Sequence, residues 1–128
     1  MTIEVRLVAA YEAALTREAI EPTLGELLLD QEREHVRGLE QALRRLGGGS
    51  PRATVPDRGL TTALGDPGLF AEYALRLESE AIAAYVRASA NILRSQLRQP
   101  LGSIMTAESA HTVALRQAAD LPLLSPVR

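Results

Sequence analysis

The chain of 128 residues contains no cysteine and no tryptophan, and aromatic residues make up only 3% of it. Without cysteine it cannot form disulfides, zinc ribbons, iron–sulfur clusters or thiol nucleophiles, so any metal must be held by oxygen and nitrogen. The apolar residues, 46% of the chain, are mainly Leu, Ala, Val and Ile. Because this composition favours helix over sheet, we expect an all-α protein.

The sequence also lacks a basic stripe and a long apolar run. The formal net charge is −2, and the 14 basic residues, all arginine, are spread along the chain. A surface that neutralises a nucleic-acid backbone is therefore not expected. No segment approaches the roughly 18 apolar residues of a membrane span, and the first residues do not follow the signal-peptide pattern. We expect a cytoplasmic protein with neither a nucleic-acid nor a membrane partner.

Apolar residues recur at helical spacing in four segments, which predict helices at about 3–18, 22–46, 67–91 and 96–119. The stretch at about 47–66 is rich in glycine and proline and predicts a long crossover, whereas the other two connections are short. Short connections imply antiparallel helix hairpins. The sequence thus predicts one domain over 1–128, a four-helix bundle of two hairpins joined by one crossover. Pro100 falls in or just after the opening turn of the last helix if that helix begins near Ser95, and an earlier start predicts a kink.

An internal repeat supports the two hairpins. Leu7-Val-Ala-Ala-Tyr11 aligns with Ala81-Ile-Ala-Ala-Tyr85, and a glutamate precedes each tyrosine by seven residues, at Glu4 and Glu78. Farther along each half, Glu32-x-x-His35 aligns with Glu108-x-x-His111. The two halves therefore look duplicated.

These acidic residues and histidines lie on apolar stripes of their predicted helices. Glu32 and His35 are three residues apart, on the same face as Leu28 and Leu39. A buried carboxylate costs several kcal/mol unless it is paired or binds a metal, and no arginine lies in these stripes. Two divalent cations would neutralise the four carboxylates of the repeat and leave both histidines neutral. Oxygen donors with one imidazole per ion suit iron or manganese better than structural zinc, without excluding zinc.

The motifs resemble those of the ferritin-like superfamily, particularly small bacterial ferritin-like domains of the desiccation-related kind. The matching stretches are Glu4-x6-Tyr11, Asp30-Gln-Glu-Arg-Glu-His-Val36, Leu77-Glu-Ser-Glu-Ala-Ile-Ala-Ala-Tyr85 and Glu108-Ser-Ala-His-Thr-Val-Ala-Leu-Arg116. The resemblance implies a ferritin-like bundle with Glu4 and Glu78 as metal ligands, Glu32 and Glu108 as bridging carboxylates, and His35 and His111 as terminal ligands. It also implies that Tyr11 and Tyr85 lie near the site as hydrogen-bonding or redox-active neighbours.

Glu4 is the least secure of these ligands, because it lies in the first turn of its helix, where fraying is expected. Glu12 is the fallback ligand, although it lies about 80° around the helix from Glu4. On the third helix, Glu80 points away from Glu78, and we expect it in solvent.

The resemblance implies two Fe or Mn ions that react with dioxygen or peroxide, in a ferroxidase-like or peroxidase-like oxidoreductase. Its small substrates would be dioxygen, peroxide or ferrous iron. The alternative is a non-catalytic stress-protection or assembly bundle with a structural metal or none, and the sequence leaves both open. We also expect a homodimer, because a short bundle gains from burying additional apolar surface.

Overall fold

The computed structural model describes residues 2–48, 57–91 and 95–123, and within these ranges the chain forms five helices. They are α1 (Thr2–Thr16), α2 (Pro22–Arg45), α3 (Arg58–Ala63), α4 (Pro67–Asn91) and α5 (Ser95–Ala118). The most extensive packing is within the pairs α1–α2 and α4–α5, and these hairpins meet where α1 packs on α4 and α2 on α5. The predicted all-α helical bundle is confirmed.

Local interactions fix the turn between α1 and α2. Helix α1 ends two residues earlier than predicted, because Glu18 adopts a left-handed conformation with φ 54° that a helix cannot continue through. The Glu21 carboxylate then accepts hydrogen bonds from the backbone N–H groups of Thr23 and Leu24, at 3.0 and 2.8 Å. Pro22 lies in the first turn of α2, where its missing N–H group costs nothing.

The crossover contains the short helix α3, which the sequence did not predict. Asp57 caps this helix by accepting a hydrogen bond from the Gly59 N–H group at 2.8 Å. The same carboxylate pairs with Arg6 on α1 at 2.9 Å and accepts the Tyr73 hydroxyl on α4 at 2.8 Å. Asp57 therefore links the second part of the crossover to α1 of the first hairpin and to α4 of the second. Residues 49–56 of the predicted crossover and 92–94 of the last connection lie outside the described residues.

Helix α5 begins at Ser95, so Pro100 lies in its second turn, just beyond the opening turn, and is exposed. The helix continues past this proline to Ala118. In the described part of the chain, no helix combines the length and apolar character needed to cross a membrane.

The interior of the bundle consists of an apolar core interrupted by one polar layer. The apolar part includes Leu7, Tyr11, Leu28, Phe70, Leu77 and Leu115. The polar layer contains the buried side chains of Glu4, Glu32, Glu78, Glu108 and His111, together with the partly buried His35. These polar residues follow the apolar stripes of their helices, so the packing that buries each stripe also brings them together.

Candidate metal centre

The six predicted ligands converge in the polar layer of the bundle. Glu4 comes from α1, Glu32 and His35 from α2, Glu78 from α4, and Glu108 and His111 from α5. The four glutamates are fully buried, and His111 and His35 have 3% and 11% of their side chains exposed. All four long helices therefore contribute to one enclosed cluster.

The six side chains form two overlapping groups. The first contains Glu4, Glu32, His35 and Glu108, and the second contains Glu32, Glu78, Glu108 and His111. Within each group, one potential ligand atom per residue lies within 4.8 Å of all the others. Glu32 and Glu108 belong to both groups, so they occupy the positions that shared ligands would take.

The two histidines face the carboxylates in nearly equivalent ways. His35 Nδ1 lies 3.0 Å from Glu108, 3.4 Å from Glu32 and 3.7 Å from Glu4. His111 Nδ1 lies 3.0 Å from Glu32, 3.4 Å from Glu78 and 3.5 Å from Glu108. The two rings are stacked with centroids 5.9 Å apart. The duplication seen in the sequence thus appears as an approximate symmetry of the site.

Many atoms of the cluster form no hydrogen bond of normal geometry, although Nδ1 of each histidine lies 3.0 Å from a carboxylate oxygen. Among the described residues, these buried atoms are Oε2 of Glu4 and Glu78, both carboxylate oxygens of Glu32 and Glu108, and Nδ1 of both histidines. Buried polar atoms nearly always have partners, so eight unpartnered atoms around one point require an explanation. Carboxylate oxygen and imidazole nitrogen are the ligands of iron, manganese and zinc. The donor set therefore fits metal ions.

Proximity and burial perturb the ionisation of the glutamates. Burial raises the pKa values of Glu4 and Glu78 above the ordinary range. Burial opposes ionisation of Glu32 and Glu108 as well, but contacts with His111 and His35 lower the pKa values of these two carboxyls overall. Burial therefore opposes the ionisation of all four glutamates at once.

The histidines respond to the same surroundings in the opposite sense. Burial alone would lower the pKa of each imidazole, but the surrounding carboxylates raise the pKa values of both His35 and His111. Without bound metal, the carboxylates therefore favour protonated imidazoles. An imidazole nitrogen can bind a metal ion only after its proton has left.

Two buried tyrosines link the hairpins through the site. The Tyr11 hydroxyl on α1 donates to Glu78 Oε1 on α4 at 2.6 Å, and the Tyr85 hydroxyl on α4 donates to Glu4 Oε1 on α1. Burial, with the nearby carboxylates, raises the pKa of both hydroxyls. Both tyrosines remain protonated at neutral pH and hold the carboxylates that they contact.

The two other candidate glutamates lie outside the cluster. Glu12, the fallback for Glu4, is exposed and pairs with Arg33 at 2.9 Å. Glu80 is also exposed and lies 3.5 Å from Arg6, as expected for a solvated position. Glu4 itself is fully buried despite its place in the first turn of α1.

The sequence did not identify Gln31 as a site residue. Its Oε1 atom on α2 hydrogen-bonds His111 Nε2 on α5 at 2.5 Å. The repeat offered no signal, because the residue that corresponds to Gln31 in the second half is Ala107. Only the packing of α2 against α5 reveals this contact.

A family model described as "Ferritin-like domain" matches residues 2–120. The match includes all four long helices and every residue of the cluster. Neither the comparison with curated proteins nor the comparison with solved structures found a significant match.

Proposed function

Because this chain belongs to the ferritin-like domain family, we propose that it is a di-metal carboxylate protein that binds two iron or manganese ions in the buried cluster. The observation that carries the proposal is the set of eight buried, unpartnered ligand atoms directed at one region of the bundle. Glu4 and His35 would hold one ion, and Glu78 and His111 the other. Glu32 and Glu108, which belong to both groups, would bridge the two ions.

The charges of the cluster support two divalent ions. Four carboxylates carry four negative charges when ionised, and two divalent cations neutralise them while both imidazoles remain neutral ligands. A single ion would leave two carboxylate charges to be compensated by protons in an apolar surrounding, where an unpaired charge is costly.

We propose further that the protein is an oxidoreductase of the ferroxidase or peroxidase type. When bound, iron or manganese would supply the electron-transfer chemistry toward dioxygen or peroxide that side chains alone lack. The chain's own residues hold and shield the site. Tyr11 and Tyr85 fix Glu78 and Glu4 by hydrogen bonds, and Leu7, Leu77 and Leu115 belong to the core that excludes water from it. Its small substrates would be dioxygen, peroxide or ferrous iron.

Metal uptake and turnover test this proposal together. The purified protein would be loaded anaerobically with Fe(II) or Mn(II), and the bound metal would be counted per chain. The loaded protein would then be mixed with dioxygen or peroxide, and consumption of the oxidant followed. We expect two ions per chain and oxidant consumption, both abolished by Glu32→Ala and by His111→Ala, because each substitution removes a ligand.

Glu34→Ala is the matched control for Glu32→Ala, because Glu34 is exposed on the same helix and, among the described residues, pairs only with Arg37, at 3.8 Å. This variant should bind and react like the parent protein. Failure of the parent protein to bind either metal would overturn the proposal. Two bound ions without oxidant consumption would instead support a structural role for the metal.

A further inference from the structure

We propose that Gln31 is a positioning residue that makes the two metal positions unequal, so that the position at His111 fills first and the position at His35 exchanges more readily. This inference rests on the proposed di-metal function. It concerns the order in which the two halves of the site bind metal.

The contact of Gln31 fixes the orientation and tautomer of the His111 ring. Only the carbonyl oxygen of a glutamine side chain can accept a hydrogen bond, so the Nε2–H group of His111 is the donor in this contact. Because Nε2 keeps its proton in this contact, Nδ1, which faces Glu32, Glu78 and Glu108, is the nitrogen left to bind a metal ion. A partner on the far nitrogen orients a ligating histidine and raises its basicity.

His35 has no equivalent support. Gln31 directly precedes Glu32 in the first half of the repeat, and Ala107 directly precedes Glu108 in the second. A methyl group cannot accept a hydrogen bond. Within the described residues, the polar contacts of His35 are all made by Nδ1, and its side chain is more exposed than that of His111, at 11% against 3%.

The remaining ligands increase the difference between the two positions. Glu4, which belongs with His35, lies in the first turn of α1, where helices fray. Glu78, which belongs with His111, lies in the middle of the 25-residue helix α4. The His111 position therefore has a histidine supported by Gln31 and a glutamate in the middle of its helix, whereas the His35 position has a more exposed histidine and a glutamate in a first turn. The less supported position is the one at which we expect metal to exchange.

Stepwise titration with Mn(II), followed by the EPR signal of free Mn(II), would measure both affinities. Anomalous diffraction from crystals grown with less than one equivalent of Mn(II) would show which position fills first. We expect two unequal steps, with the first ion beside His111. Gln31→Leu keeps the bulk of the side chain and removes the acceptor for His111 Nε2. It should lower the Mn(II) affinity of the tighter step by about 10- to 100-fold.

Ala107→Gln tests the same idea in the other direction, because it offers His35 the partner that it lacks. This variant should raise the Mn(II) affinity of the weaker step and reduce the difference in affinity between the two steps. Gln41→Leu, at an exposed glutamine of the same helix as Gln31, is the control and should leave both steps unchanged.

Several results would overturn the inference. These are two equal steps in the parent protein, first filling beside His35, or Mn(II) binding by Gln31→Leu that matches the parent protein. Failure of the parent protein to bind Mn(II) or Fe(II) at all would overturn the di-metal proposal as well. Two unequal steps without oxidant consumption would support the inference and contradict only the oxidoreductase activity.

Discussion

Two clusters of ionisable side chains join the first hairpin to the second, and they are built in opposite ways. In the surface cluster, Asp57 contacts Arg6 at 2.9 Å and Tyr73 at 2.8 Å, and Arg6 also approaches Glu80. About a third of the Arg6 and Asp57 side chains is exposed to solvent. In the buried cluster of the candidate metal centre, by contrast, four fully buried glutamates carry oxygens that accept no hydrogen bond of normal geometry.

The difference separates an interaction that stabilises the fold from one that requires a ligand. Partly exposed ion pairs contribute about 0–1 kcal/mol each, because water already solvates both charges. Removing charges from water costs several kcal/mol each, and this cost is recovered only through good partners. We therefore infer that the surface cluster is structural, whereas the buried cluster reduces stability until metal ions bind.

The largest expected effect is stabilisation by metal. A ligand that binds only the folded state at 100 times its Kd stabilises that state by about 2.7 kcal/mol per site. Urea unfolding of the metal-free and Mn(II)-loaded protein should therefore show a higher midpoint after loading. Glu32→Ala should lose this gain, and Glu34→Ala should keep it. Equal midpoints with and without Mn(II) would remove the distinction between the two clusters.

A second prediction uses two glutamates that lie two residues apart on α4, one in each cluster. Glu78→Gln keeps the shape of the side chain and its acceptor for Tyr11 but removes one buried negative charge. Because burial already raises the pKa of Glu78, we expect metal-free stability within about 1 kcal/mol of the parent protein. The gain from Mn(II) should fall, because amide oxygens bind cations less strongly than carboxylates.

Glu80→Gln is the matched substitution, because Glu80 is exposed and its contact with Arg6, at 3.5 Å, is a surface contact. It should keep both the metal-free stability and the gain from Mn(II). Urea unfolding of both variants, with and without Mn(II), provides the measurement. If Glu78→Gln lost several kcal/mol without metal, the buried carboxylate would be stabilising in its own right, and the contrast between the clusters would fail.

The buried cluster could be predicted from the sequence because its residues follow a repeat and a helical period. Glu32 and His35 share one apolar stripe, and Glu108 and His111 share another, so packing the stripes brings them together. The ferritin-like fold followed from the same pattern and from two short connections. The duplication also indicated where Glu4 and Glu78 belong, since each precedes a tyrosine by seven residues.

The contacts that the sequence did not reveal depend on tertiary placement alone. Asp57 lies 51 residues from Arg6 and 16 from Tyr73 in the sequence. It precedes the short helix α3, which was not predicted because the surrounding stretch is rich in glycine and proline. Gln31 contacts His111 across 80 residues and has no counterpart in the repeat. Neither contact follows a period, so periodicity could not predict it.

The smallest expected effect concerns the surface cluster. Asp57→Asn keeps an acceptor for the Gly59 N–H group, but it removes the negative charge and replaces Oδ2, which accepts from both Arg6 and Tyr73, with an amide NH2 group. Urea unfolding of the metal-free protein at pH 7 should show a loss of about 1 kcal/mol, as expected for a partly exposed pair. Asp66→Asn, which replaces the carboxylate that accepts from the Leu69 N–H group near the start of α4, controls for the change of capping residue.

The effect of Asp57→Asn should also depend on pH. Hydrogen bonds from Tyr73 and Arg6 lower the pKa of Asp57 from 3.8 to about 2 in the folded protein. Its stabilisation is therefore present above about pH 4 and is lost as the pH falls through about 2, below which the carboxyl is protonated in both states. The difference in unfolding free energy between the metal-free parent protein and Asp57→Asn should shrink over that interval. If the difference in unfolding free energy stayed constant from pH 5 to pH 2, Asp57 would act through its shape and not its charge. The surface cluster would then not be an ionic interaction between the hairpins.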